Sequence, residues 1–136
     1  MSKPSILFLC THNAGRSQLG AALLEHLAAD EFTVSSAGTA PATSVNDAIA
    51  ATLGELGIDI SHRVPRLVTA GLVESADVVV AMKPGLTIPG HSARLIEWSF
   101  PDPAEWDTER VRPLRTAVEA AIRRQFVKDD THSKRD

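Results

Sequence analysis

The chain has no tyrosine, and its 136 residues include four phenylalanines, two tryptophans and one cysteine. Few rings are therefore available to wall an aromatic ligand. A single cysteine, Cys10, excludes an internal disulfide and any cysteine-rich zinc site. The five histidines, His12, His26, His62, His91 and His132, show no metal-ligand spacing, so no metal site is expected. Basic charge is also in short supply. The formal net charge is −3, which excludes a general nucleic-acid binder. No apolar run approaches the roughly 20 residues that span a bilayer, so no membrane segment is expected. Met1-Ser2-Lys3-Pro4 runs straight into a strand-like segment without the apolar stretch of a signal peptide, which predicts a cytoplasmic protein.

Several elements are legible in what is present. Ser5 to Cys10 is an almost continuous apolar run, short enough for a strand covered on both faces. Thr11 to Arg16 reads as a loop. Ser17 opens a helix carrying Leu19, Leu23, Leu24 and Leu27 at helical spacing. A second strand is predicted over Phe32–Ser36, ended by the loop chemistry of Ala37 to Pro41. A helix with Ile49, Leu53 and Leu56 follows, capped by Asn46 or Ser44 and stopped by Gly57. A short helix is predicted from about Thr69 to Ser75. Strands are predicted over Asp77–Met82 and Ala93–Trp98, and a last helix over Asp107 to about Lys128. Strands alternating with helices imply an α/β, flavodoxin-like three-layer sandwich, with a four-stranded parallel sheet and helices on both faces. Residues 1–128 make one domain and residues 129–136 a polar tail. Ligands of such sheets bind beyond the carboxyl ends of the strands, where Cys10 and Asp102 fall.

The segment Cys10-Thr11-His12-Asn13-Ala14-Gly15-Arg16-Ser17 carries the chemistry. A short loop between strand and helix turns backbone N–H groups inward. With the free N–H groups of the helix start they form a cradle for a tetrahedral anion, built from Thr11, His12, Asn13, Ala14, Gly15 and Arg16. The positive end of the helix dipole favours the thiolate of Cys10. The Arg16 guanidinium can hold two anion oxygens and stabilise charge that builds during attack. Gly15 is expected to let the loop curl, and Ser17 to donate to the thiolate and cap the helix. A departing oxygen needs a proton, and Asp102, stiffened between two prolines, is the candidate acid.

These residues resemble the low-molecular-weight protein tyrosine phosphatase superfamily, most closely its arsenate reductase branch. The resemblance rests on Cys10 to Gln18, Ser36-Ala37-Gly38, Gly57 to Ser61, Trp98 to Pro103, and Arg110 to Arg115, the last similar to actinobacterial members. It implies Cys10 as nucleophile, Arg16 as anion ligand, Ser17 as thiolate stabiliser, Asp102 as general acid and Asn13 as the residue that shapes the loop. Thioredoxin-coupled members use two further cysteines after the third strand, where this chain has Met82 to Pro89 and none. The resemblance then implies reduction by an external thiol, mycothiol or glutathione, with a redoxin such as mycoredoxin or glutaredoxin, and no bound cofactor. Val64 and Arg66 fall where the potassium site of some relatives wants oxygen ligands.

Two other functions compete. A phosphomonoesterase acting through a cysteinyl-phosphate shares the first chemical step, and Ser61-His62-Arg63 with Arg66 looks at least as phosphatase-like as reductase-like, although a solvated loop suits His62 and Arg63 equally. Against it, Ala104 follows Pro103 where phosphatases place an aromatic residue. Trp98 and Trp106 remain to flank the site, although a core or lid role suits them better. A non-catalytic oxyanion-binding protein would keep the loop without needing nucleophile and acid together.

Overall fold

Alternation along the first strand sets the architecture. In the computed structural model, which describes residues 3–127, β1 (Ser5–Cys10) turns Ile6, Phe8 and Cys10 to one side and Leu7 and Leu9 to the other. Each set joins a separate apolar layer, as expected of a strand covered on both faces. The first layer holds α1 (Arg16–Ala28), α2 (Asp47–Gly54) and α4 (Thr108–Phe126). The second holds α3 (Ala70–Ser75) and the loop residues Leu86 and Ile88. Between them lies a four-stranded sheet in the order β2-β1-β3-β4, completed by β2 (Thr33–Gly38), β3 (Val78–Ala81) and β4 (Leu95–Glu97). Every pairing is parallel. This is the expected flavodoxin-like three-layer sandwich.

Some boundaries differ from the sequence reading. β2 continues through Ala37 and Gly38, because β1 pairs with it along its whole length and Gly38 also bridges to Leu67. β4 is only three residues long. Past it the chain still tracks β3: the N–H of Trp98 donates to Ala81 O (2.8 Å) and that of Phe100 to Met82 O (3.1 Å). α2 stops at Gly54 rather than at Gly57, and the chain turns on to Gly57, whose φ is +80°. Lys128 and the expected 129–136 tail lie outside the described residues.

Two packing features place the site. A Cβ at Gly20 would stand 2.7 Å from Phe8 Cδ2, so glycine lets α1 lie close on β1. At the other end of α2, Glu55 joins this helix to α4: it accepts from Arg112 Nε (3.0 Å) and Nη2 (2.6 Å) and from Arg115 Nη1 (2.9 Å). Hydrogen bonds from Arg112 first, then Arg115, hold the Glu55 carboxyl at a pKa of about 2. No helix among the described residues is long and apolar enough to cross a membrane.

Candidate active site

The loop from Cys10 to Arg16 joins the carboxyl end of β1 to the start of α1. Its carbonyls explain its shape. Six consecutive carbonyls, from Cys10 to Gly15, each accept a hydrogen bond from behind: Thr39 N to Cys10 O, Ala40 N to Thr11 O, Ala42 N to His12 O, Gln18 Nε2 to Asn13 O, Asn46 N to Ala14 O and Leu19 N to Gly15 O, all at 2.7–3.2 Å. A peptide whose C=O is held outward turns its N–H the opposite way. The N–H groups of His12, Ala14 and Gly15 donate to no group among the described residues. They are joined by the unpaired amides of the first turn of α1. The result is a concave set of donors at the positive end of a helix, suited to an anion.

Asn13 makes the turn. It is the one non-glycine residue with positive φ (51°) among those described, in the left-handed region that Asn tolerates. Gly15, read from the sequence as the residue that lets the loop curl, is the N-cap of α1 with φ −128° and ψ −87°, outside both the helical and the extended regions. A Cβ there would approach Pro103 Cγ to 3.3 Å, so Gly15 makes room for the Asp102 loop. Gly38 serves a related need, since a Cβ there would lie 2.6 Å from Thr11 O.

The side chains around Cys10 form an ordered relay. The N–H of Arg66 donates to Asn13 Oδ1 (3.0 Å), which settles which end of that amide is oxygen. Asn13 Nδ2 then donates to Ser17 Oγ (2.7 Å) and Ser36 Oγ (3.0 Å). With Ser17 Oγ accepting from Asn13, its own hydroxyl proton is free for Cys10 Sγ at 3.0 Å. The N–H of Asn13 adds a second bond to the sulfur (3.2 Å). Both donors are aimed at the sulfur. Cys10, Asn13 and Ser17 are all buried. The expected capping role of Ser17 is not seen: Gly15 is the N-cap of α1, no side chain caps it, and Ser17 lies within the helix. Its hydroxyl is spent on the thiol.

Arg16 is the first residue of α1 and is 6% exposed. One of its nitrogens, Nη1, donates to Phe100 O (3.0 Å). That bond fixes the guanidinium and ties the loop to the segment bearing Asp102. Asp102 is exposed, and its Oδ1 accepts from Ala104 N (3.1 Å). Cys10, His12, Ala14, Gly15, Arg16 and Asp102 line one cleft of about 880 Å³. Thr11 and Asn13 lie behind its surface, held in the loop by the bonds above.

Other residues singled out from sequence divide. Trp106 lines the cleft, whereas Trp98 packs against Phe8 and Phe100 in the core. Arg63 pairs with Glu25 away from the cleft, and His62 is exposed there too. The Arg66 guanidinium donates from Nε to Ser36 O (2.9 Å), occupying the neighbourhood of Asn13 and Ser36. Among the described residues no group of three His, Cys, Asp or Glu is arranged to hold a metal ion. The sequence reading missed Asp47 at the start of α2 and Asp107 and Thr108 at the start of α4, which wall the cleft. In sequence they carry only the signature of helix starts, which Asn46 and Asp107 indeed cap.

The chain matches the family described as low molecular weight phosphotyrosine protein phosphatase over residues 5–88. An arsenate reductase of Shouchella clausii is 40% identical over 111 residues, covering 77% of this chain and 78% of that one. A thioredoxin-dependent arsenate reductase of Corynebacterium glutamicum superposes with a TM-score of 0.76 at 31% identity, covering 90% of this chain and 59% of that longer one. Wzb of Vibrio vulnificus in complex with benzylphosphonate shares the fold, with a TM-score of 0.79 at 21% identity, covering 90% of this chain and 97% of that one. Sequence and fold agree: the chain belongs to the low molecular weight phosphotyrosine protein phosphatase family and is similar in sequence to arsenate reductases.

Proposed function

We propose that this protein is an arsenate reductase that draws its electrons from an external low-molecular-weight thiol. The observation that carries the reading is the cradle of outward-held carbonyls around a buried Cys10 already bonded to Ser17. Arsenate enters the cradle and is held by the loop N–H groups and Arg16. The Cys10 thiolate forms a bond to arsenic while an As–O bond breaks. Asp102 gives a proton to the departing oxygen, which leaves as water. Arg16 stabilises the charge that gathers on the remaining oxygens.

The thiolate of the external thiol then attacks Cys10 Sγ. An S–S bond forms, the S–As bond breaks, and its electron pair stays on arsenic, which passes from As(V) to As(III). Arsenite departs, and a second thiol or a redoxin dithiol releases Cys10 from the mixed disulfide. The sequence holds no second cysteine to do this internally. Relatedness to arsenate reductases supports this reading over phosphate-ester hydrolysis. Trp106 is the one aromatic residue lining the cleft, a thin wall for a phenyl ring.

The deciding assay gives the pure protein arsenate with mycothiol or glutathione and a matching redoxin, beside a phenolic phosphate ester. Arsenite should form only when the small thiol is present, thioredoxin alone should not sustain turnover, and mass spectrometry should catch Cys10 joined to the thiol. Efficient phosphotyrosine hydrolysis with no arsenite under any supply of thiol and redoxin would make the protein a phosphatase instead.

A further inference from the structure

We propose that the outer part of the Cys10 cleft seats the reducing thiol, and that it selects a thiol carrying hydroxyl or ammonium donors and no carboxylate. The inference rests on the reductase reading. A five-atom oxyanion fills only the floor of a cleft of about 880 Å³, so a larger second molecule has room above it. The floor and the walls differ in polarity. Around Cys10 Sγ the floor offers donors: loop N–H groups and Arg16. The charged side chains of the walls are all acidic, Asp47 on α2, Asp102 and Asp107 before α4; the hydroxyls of Ser44 and Thr108, which donate or accept, and apolar residues such as Val45 and Trp106 lie among them.

Each wall carboxylate has accepting capacity left over. Asp102 uses one oxygen on Ala104 N and Asp107 one on Arg110 N. Asp47 accepts no side-chain hydrogen bond among the described residues. Two bases line the cleft, Arg16 and His12, and the oxyanion engages the first. The Arg110 guanidinium lies at this end too, but it is stacked over the Trp106 ring at 4.3 Å and is not part of the lining. A thiolate must approach an adduct that is itself anionic. A further negative charge on the thiol meets both that adduct and the wall carboxylates, whereas hydroxyl or ammonium groups can donate to Asp47, Asp102 and Asp107. Of the two thiols considered, this favours the uncharged, hydroxyl-rich mycothiol over glutathione with its two carboxylates.

The test compares kcat/KM for the thiol at saturating arsenate, divided by the thiolate fraction of each reagent. The probes are 1-thioglycerol, cysteamine, 3-mercaptopropionate and glutathione. The two anionic thiols should fall about tenfold or more below thioglycerol, and added salt should narrow the gap. Asp47→Asn should narrow the ratio of thioglycerol to mercaptopropionate at least threefold, a ratio that a loss of folded protein would leave alone. Equal rates per thiolate, or a ratio that Asp47→Asn does not move, would overturn the selectivity while leaving the reductase standing. Absence of arsenite with every thiol would overturn the reductase reading itself, and this proposal with it.

Discussion

Arg16 combines charge with shape, and the two can be separated. Its guanidinium reaches Phe100 O with one nitrogen and leaves the rest of its fork for the anion. Arg16→Lys keeps the charge and loses the paired donors, so kcat/KM for arsenate should drop by about 10²–10³-fold with the fold intact by circular dichroism. Near-normal turnover in the lysine variant would reduce Arg16 to a general positive charge. Asp102 is tested by its dependence on the leaving group. Asp102→Asn should slow covalent adduct formation by about 10²-fold or more for a poor leaving group and much less for a good one, measured as the burst with aryl phosphate esters. Equal losses for both would remove it as the acid. Cys10, Arg16, Ser17 and Asp102 stood out in the sequence because each carries chemistry in its side chain, and the structure brings Cys10, Arg16 and Asp102 to one cleft with Ser17 bonded to Cys10. Asp47 and the carbonyl of Phe100 were not, because an acid in a helix's first turn and a backbone oxygen look like ordinary structure until the chain brings them to the cleft. Glycine at position 15 drew attention to the loop's turn, but the left-handed residue is Asn13, whose amide the relay to Ser17 also needs.

At the scale of elements, the cleft lies between the starts of α2 and α4, and Glu55 with its two arginines ties those helices together. The Glu55 carboxyl titrates at about 2 when folded, against an ordinary value of 4.5. A depressed acid stabilises the fold fully above its unfolded pKa, and that stability is lost as pH falls from about 4.5 toward 2. Glu55→Gln should therefore lower the thermal midpoint at neutral pH, and the difference from the parent should close over that acid range. A gap unchanged from neutral pH to pH 2 would mean that the pair is not what holds the helices. The element order was legible from apolar periodicity, and Asn46, one of the two caps considered for α2 with Ser44, does cap it; Thr69 and Asp107 were read only as helix starts. The end of β2 was not, because Ala37 and Gly38 read as a turn. They are held in the sheet by β1 on one side and by Leu67 on the other, a contact distant in sequence.

For the molecule as a whole, the parallel sheet gathers its chemistry along one edge, beyond the carboxyl ends of β1 and β4, where the sequence reading placed it. The single-cysteine composition has a consequence outside arsenic chemistry. A thiolate attacked by peroxide becomes a sulfenic acid, which a neighbouring thiol normally rescues as a disulfide. This chain contains no neighbouring thiol, so Cys10 has only molecules from outside to stop it advancing to the irreversible sulfinic state. Peroxide should thus inactivate the isolated protein beyond recovery by later reductant, with sulfinic acid at Cys10 by mass spectrometry. The same dose given with the small thiol already present should leave a mixed disulfide and restorable activity. On the proposed reading, the thiol that turns the enzyme over would also be its antioxidant, and a shortage of it would remove both the reductant and the protein that uses it.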